Sequence, residues 1–368
     1  MKPLLSICIP TYNRAHLLRR ALEALLPQAA RFPDKVEVWV SDNASSDDTR
    51  HVVQAATHLG RVNYSCNASN IGACPNFVRL ATELATGEYV WLIGDDDLLL
   101  PDAVARVVKV LETHGNVDAI VANCRLARFP EQWPTTALGG FRGESDGVMF
   151  PSEEDRPLAA WMNILQCDHE LPCTGMFLHI VRRSVWMRYW NGRKIEHPPR
   201  TAMDWFPHTY MLADTMINQP SYYLGTPVLV RFGGTESFHV NHVMVFHYPR
   251  VLAHYHRRGF RGEQYRDCER ATFALVGAAL TQMLCDSSQA ASAVLFRYMA
   301  LVWRRPAGWK SALRAICGSG RPRFASKILA ILGRFRRAVG WRCIWDEPLV
   351  ARTHVGSRSA PGSEAPVG

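Results

Sequence analysis

The first 125 positions alternate short apolar runs rich in β-formers with longer stretches whose apolar residues recur three and four apart. "LLSICIP" (4–10), "VEVWVSD" (36–42), "VNYSCN" (62–67), "YVWLIGD" (89–95) and "VDAIVAN" (117–123) read as five strands. "AHLLRRALEALLPQ" (15–28), a segment opening at "SSDDTRHVVQAA" (45–56), "PNFVRLATELAT" (75–86) and "PDAVARVVKVLETHG" (101–115) read as the helices between them. Ser and Asp are cap candidates at the second helix, and Gly87 and Gly115 close the third and fourth. Strands this apolar, alternating with helices, predict an α/β fold with a mostly parallel sheet covered on both faces.

Ligands of such sheets bind beyond the carboxyl ends of the strands. The polar clusters fall there: "PTYNR", "DNASSDD", "NASNIG" and "DDD" follow the first four strands in turn. Beyond Arg125 the pattern weakens, and Arg125 to Pro172 reads as a long loop of the kind used for lids and substrate contacts. "GMFLHIVRRSVWMRYW" (175–190) reads as a strand running into a helix, "TAMDWFPHTYMLADTMI" (201–217) as one helix, and "YYLGTPVLVRFGG" (222–234) as a strand. The chain after Tyr248 reads as largely helical, with a Ser-, Gly- and Pro-rich tail from about Arg352 expected to be disordered.

The aspartates in "YVWLIGDDDLLLP" carry the sharpest chemical signal. Three adjacent carboxylates repel one another unless positive charge lies near them. In extended chain Asp95 and Asp97 face one way, a pair suited to a hard divalent cation with water and phosphate completing its shell. Such a cation neutralises a leaving diphosphate. The plainer reading is a solvated acidic turn capping the helix near Pro101. Asp42, at the end of the second strand, is placed to accept hydrogen bonds from a base or ribose, or else to cap the next helix. Tyr12 offers a ring for a base to stack on, with Thr11 and Asn13 as polar neighbours.

Composition adds bounds. The 368 residues, 48% hydrophobic and 20% charged, suit a large globular core or two domains. The net charge of +9 is local: between Leu301 and Glu347 eleven Lys or Arg face two acids. That argues for a basic surface rather than a nucleic-acid-binding protein. "RPRFASKILAILGRFRRAVGWRCIW" (321–345) spaces Phe324, Ile328, Ile331 and Phe335 helically among Lys and Arg. It suits an anionic lipid surface or docking on the chain's own catalytic domain, and both readings stand. Ten cysteines without a CxxC pair read as reduced, mostly buried thiols. The apolar start is too short for a signal peptide and no run spans a bilayer, so a cytoplasmic protein, peripheral on the inner membrane, is expected.

"SICIPTYNRAHLLRRALEALL", "VWVSDNASSDDT" and "NASNIGACPNFVRLATELATGEYVWLIGDDDLLLP" together resemble, in order and spacing, the family 2 glycosyltransferases, GT-A fold enzymes that use nucleotide-diphospho-sugars. The resemblance covers about residues 1–125 and is looser over 170–240. It is strongest to the O-antigen branch that includes abequosyltransferases, through "NIG" with "NF" and the later "VRFGGTESF". It implies that Pro10, Thr11, Tyr12 and Asn13 line the base and that Asp42 contacts the base or ribose. Asn70 and Gly72 would shape the loop under the nucleotide, unless they are ordinary turn residues, and Arg79 would approach a phosphate. Asp95 or Asp96 would hold the ribose, and Asp97, with Asp95, the Mg²⁺ or Mn²⁺.

Inversion at the anomeric carbon needs a carboxylate to accept the acceptor's proton. Relatives place it in an "ED" pair that this chain lacks. Asp204 in "TAMDWFPH" is the nearest equivalent, with Glu170, Asp168 and Asp214 as competitors and helix capping as the alternative role. Trp205 would stack on the acceptor or pack in the core. His208, one helical turn on from Asp204, is a candidate metal ligand, as are His239 and His242, each otherwise structural.

The resemblance divides the chain into a nucleotide-sugar-binding half (1–125), an acceptor half (126–248), a basic helical region (249–350) and a tail (351–368). The expected activity is inverting transfer from a nucleotide-diphospho-sugar to a saccharide, lipid-linked, in bacterial surface polysaccharide synthesis. Two alternatives stand: a nucleotidyltransferase, which would carry a Gly- and Lys-rich loop where this chain has "PTYNR", and a non-catalytic sugar-nucleotide binder at the membrane.

Overall fold

The computed structural model describes residues 2–128, 147–165, 175–233, 240–286, 291–302 and 305–318. Residues 1–320 form one compact unit. Residues 321–368 form a second, and the basic segment expected to meet a membrane lies in it, outside the described residues.

Strand β1 (Leu5–Thr11) leads into α1 (Ala15–Ala29), β2 (Val36–Asp42) into α2 (Thr49–Ala56), and β3 (Asn63–Cys66) into α3 (Ala73–Arg79), prolonged by a π-helical turn over Leu80–Leu84. Then come β4 (Tyr89–Leu92), β5 (Leu98–Leu99), α4 (Ala103–Thr113) and β6 (Ala119–Arg128). The short β7 (Gly147–Val148) and β8 (Arg156–Leu158) precede β9 (His179–Arg182), α5 (Arg183–Trp190), α6 (Ala202–Trp205), α7 (Pro207–Thr215) and β10 (Ser221–Gly233). Four helices follow: α8 (Val240–Arg257), α9 (Gly262–Asp286), α10 (Ala291–Val302) and α11 (Pro306–Gly318), with α9 packed against both α8 and α11.

One sheet runs β3-β2-β1-β4-β9-β6-β10-β5, with β7 on β6 and β8 on β10. Strands β3, β2, β1 and β4 are parallel, as the apolar runs predict. Leu5, Ile7, Cys8 and Ile9 of β1 are all buried, because helices cover both faces. Strand β9 enters antiparallel between β4 and β6, pairing Trp91 with Ile180 and Ile120 with Ile180. Arg182 locks that insertion by donating to Asp118 at 2.8 Å and pairing with Glu88, its guanidinium 4.6 Å from the Tyr89 ring. Among the described residues Trp91, Trp161 and Tyr223 are the bulkiest parts of the core around these strands.

Three expectations change. The stretch Arg125 to Pro172 is not one loop where it is described: β6 runs on to Arg128, β7 and β8 add to the sheet, and Trp161–Ile164 form a short 3₁₀ turn. The helix predicted over 201–217 is two, broken at Phe206, because Pro207 lacks an N–H and starts α7 afresh. Cys8, Cys66, Cys74 and Cys124 are free thiols, but Cys268 is disulfide-bonded, so the thiols are not all reduced.

Strand β10 bulges between Leu224 and Leu229, and buried Asn123 of β6 secures the irregularity. Its amide donates to Phe150 O at 3.0 Å and Gly225 O at 2.7 Å, and its oxygen accepts from Phe150 N at 3.0 Å. Asn123→Leu strands all three backbone groups. Urea unfolding of that variant should show a loss of roughly 3–5 kcal/mol, and a loss below about 1 kcal/mol would mean the bulge is held by something else.

Candidate active site

Strands β1, β2 and β4 end side by side, and the loops beyond them are tied together by side chains. Thr11, at the end of β1, donates to Asp95 Oδ2 at 2.8 Å. Arg14, three residues on, forks across two carboxylates: one nitrogen lies 2.9 Å from Asp95 Oδ1, the other 2.8 Å from Asp96 Oδ2. Asp97 turns back to accept the Gly94 N–H at 2.7 Å. A Cβ at Gly94 would lie 2.4 Å from Asp96 Oδ1, so a side chain there would displace that carboxylate. Asp95 is 3% exposed and Asp97 4%, whereas the Asp96 side chain is 18% exposed. The crowded negative charge is therefore met first by Arg14.

The second loop is as ordered. Asp42 accepts from Ser45 N at 2.8 Å and from the Tyr64 hydroxyl at 2.6 Å. Asn13, at φ 52°, donates its N–H to Ser45 Oγ and accepts from Ser46 N, both at 2.8 Å. Asp47 spans two helices, accepting from Ala15 N at the start of α1 and from Thr49 at the start of α2. Tyr12 stands 43% exposed at the mouth, and Pro10 pairs in the sheet opposite Ser41. Asn70 and Gly72 belong to an amide net: Asn43 donates to Asn70 Oδ1, which also takes the Gly72 N–H, both at 2.8 Å.

The profile described as Glycosyl transferase family 2 matches residues 6–162, the segment that holds all these loops. Over that segment the chain matches glycosyltransferase family 2. It is 26% identical over 246 residues to the abequosyltransferase RfbV of Salmonella typhimurium, covering 64% of this chain and 68% of that protein. It is 38% identical over 109 residues to the GalNAc(5)-diNAcBac-PP-undecaprenol beta-1,3-glucosyltransferase of Campylobacter jejuni, covering 29% of this chain but only 34% of that one. The fold resembles residues 1–349 of S. aureus TarS, with a TM-score of 0.55 and 15% identity over 93% of each chain, which places it among GT-A folds. TarS has also been solved with UDP, the match covering 87% of this chain.

The other candidates scatter. Arg79 lies on α3, 3.3 Å from Ser65 Oγ and 3.4 Å from Glu83, and lines a different cavity from the aspartates. Asp204 is 1% exposed and bound on both oxygens: Oδ1 accepts Glu196 N at 3.1 Å, and Oδ2 accepts Arg200 N, Thr201 N and Thr201 Oγ1. Thr201 caps α6 in return, so the capping role foreseen for Asp204 is realised. Burial pushes its carboxyl up, but these hydrogen bonds outweigh burial and hold it below the usual carboxylate value. Asp214, a competitor, is bound by His254 at 2.6 Å and Tyr189 at 2.8 Å. Asp168, Glu170 and His239 lie outside the described residues.

His208 does not join the metal ligands. The break at Pro207 removes its helical alignment with Asp204, and its ring packs edge-on against Phe77 with centroids 5.7 Å apart. Among the described residues no three His, Cys, Asp or Glu converge on a metal position. His242 lies on α8 against Phe246, and Trp205 packs on the core beside His247.

Sequence reading missed two basic residues here. Arg14 stood in the quoted "PTYNR", where a base following an aromatic loop was a signal. Arg231 of β10 had none: the pairing of Leu98 with Val230 carries it beside Asp97. Burial pushes Asp95 up to about 7 and Asp97 up to about 8, with Asp96 adding to both, while Arg14 opposes the first and Gly94 and Arg231 the second. The cluster is thus still short of positive charge. Its hard carboxylate oxygens are of the kind that Mg²⁺ or Mn²⁺ takes.

Because these pKa values are raised in the fold, the native state holds protons that the unfolded chain has released, from the ordinary 3.8 up to about 8. Raising pH through that window removes stability. In chelator, the melting temperature should fall from about pH 4 to about pH 8, and Asp97→Asn should flatten the slope. An unchanged slope in that variant would remove Asp97 from the titration. Arg14→Gln should lower turnover roughly 100-fold and move the acid side of its pH profile upward, since the fork no longer opposes the protonation of Asp95.

Proposed function

We propose that this protein is an inverting glycosyltransferase that moves a sugar from a nucleotide-diphospho-sugar to a saccharide acceptor. The observation that carries the reading is the rim where Thr11, Arg14 and Asp95–Asp97 meet, beside the exposed ring of Tyr12. The ring face accepts a base by stacking. Asp42, oriented by Tyr64 and Ser45, is the polar contact for base or ribose. Asp96, the most exposed of the three acids, takes the ribose hydroxyl, and Asp95 braces Arg14 and Thr11. A bound divalent cation would neutralise the diphosphate as it leaves. The TarS structure with UDP and the O-antigen and undecaprenol-linked relatives support a nucleotide donor and a lipid-linked acceptor in surface polysaccharide synthesis.

The acceptor hydroxyl's proton goes, in this reading, to Asp204. Its backbone donors keep it ionised, and Oδ1, holding a single hydrogen bond, is the oxygen with room for it. Among the described residues only Glu196 N covers this oxygen, so acceptor binding displaces that one bond while Arg200 and Thr201 keep theirs on Oδ2.

Thermal unfolding with UDP-, GDP-, CDP- and dTDP-sugars plus Mn²⁺ tests the donor reading, with a rise in melting temperature expected for one base. No rise with any of them would overturn it. Asp204→Asn should abolish transfer while nucleotide affinity holds within about twofold. Thr201→Ala, which removes the cap and one of the three bonds on Oδ2, should cost about 1 kcal/mol of stability and keep turnover at neutral pH. Turnover that survives in Asp204→Asn would make that carboxylate a structural bracket alone.

A further inference from the structure

A second site lies between α3 and α5. These helices and the turn after α5 enclose a cavity of about 1060 Å³ that none of Thr11, Asp42 or the three rim aspartates lines. Six cations line it, Lys2, Arg79, Arg183, Arg188, Arg193 and Lys194, against the single acid Glu83. Glu83 is engaged by Arg79, and Arg193 lies 4.4 Å from the Tyr189 ring, which leaves the charge of the others unbalanced. Two donors in this wall lack an acceptor among the described residues: Arg183 Nε and the Trp190 indole N–H, both buried. Arg183 spends its other end on Thr82 O at 2.8 Å, so its Nε is held in place. Burying such donors unmet costs about 1–3 kcal/mol each. Both atoms lie beneath the groove surface, and the exposed side chains of Arg188, Arg193 and Lys194 are what an entering oxyanion meets first. Ile71, Pro75, Val78, Met187 and Ile195 give the lining an apolar part beside Thr82, Ser184 and Asn191, and Met187 is 42% exposed, one of two large apolar side chains so exposed among the described residues.

We propose that this groove binds a phosphate-bearing amphiphile, the phosphate or diphosphate meeting Arg183, Arg188 and Lys194 while the apolar portion lies along Met187 and its neighbours. A free inorganic anion would use the cations but not the apolar wall. Two sources share the proposed chemistry, a polyprenyl diphosphate and an anionic phospholipid headgroup. The assignment does not rest on the transfer reading, because neither probe carries a nucleotide.

The full chain is titrated with farnesyl diphosphate, and separately with vesicles of phosphatidylglycerol or phosphatidylcholine, at low and high salt. The same titrations are run on Arg183→Gln and on the double variant Arg188→Glu, Lys194→Glu, whose side chains are exposed and whose folding is checked by melting. Binding of farnesyl diphosphate weakened roughly tenfold or more in both variants supports the site and names a lipid diphosphate as its source. Binding of phosphatidylglycerol vesicles alone, lost in the variants and with salt, supports it with a headgroup as the source. Binding of neither probe, or binding that the charge-reversed double variant leaves intact, overturns the proposal.

Discussion

The guanidinium of Arg14, shared between Asp95 and Asp96, is the interaction on which the rest of the site depends. Three successive carboxylates cannot be buried on a sheet rim without a charge that meets them at fixed distance. Arg14 supplies it from the position just before α1, and that position is itself determined elsewhere. Asp47, from the loop after β2, holds the first N–H of α1, while Asn13 is clasped by Ser45 and Ser46. The loops of β1, β2 and β4 are thus one construction. A site assembled this way keeps its geometry when the charge on its ligand changes, which is what stabilising a departing diphosphate requires.

Much of this was legible in the chain because the decisive patterns are local. Strands β1 to β4 are marked by apolar runs ended by polar clusters, and the order of the clusters around the rim follows from the parallel arrangement. Strand β5 was not legible: two residues, Leu98 and Leu99, carry no period. They become a strand only because distant β10 lies opposite them, and the same register delivers Arg231 to Asp97. Pro207 did carry a local signal, since a proline inside a helical pattern ends it, and a reading that weighted this would not have aligned His208 with Asp204. The insertion of β9 between β4 and β6 depends on which edge is open in the folded sheet, and no local pattern encodes that.

Asp204 shows a different limit. An acid before a helical run is consistent with a cap and with a base, and the residue type does not choose. Its surroundings show how its lone pairs are spent, three bonds on one oxygen and one on the other. The capping role and the proposed proton-accepting role draw on different oxygens, so they do not exclude each other. What they share is rigidity, since the donors that lower its basicity also fix the direction in which it points.

The acidic rim and the basic groove are joined by a short chain of backbone and amide bonds. Asn43 N–H is donated to Thr11 O at 2.9 Å, and Asn43 Oδ1 accepts Ile71 N at 3.0 Å, Ile71 being part of the groove wall. Gly72, next in the chain, is at φ 96°, and a Cβ there would lie 2.5 Å from the His197 ring. The start of α3 therefore packs directly on the segment that covers Asp204. The turn before α3 thus touches the groove wall, Asn43 of the rim and His197 at once. Arg79 shows why such a connection escapes sequence reading: the resemblance implied a phosphate contact, and the face of α3 on which it rides makes it part of the groove wall.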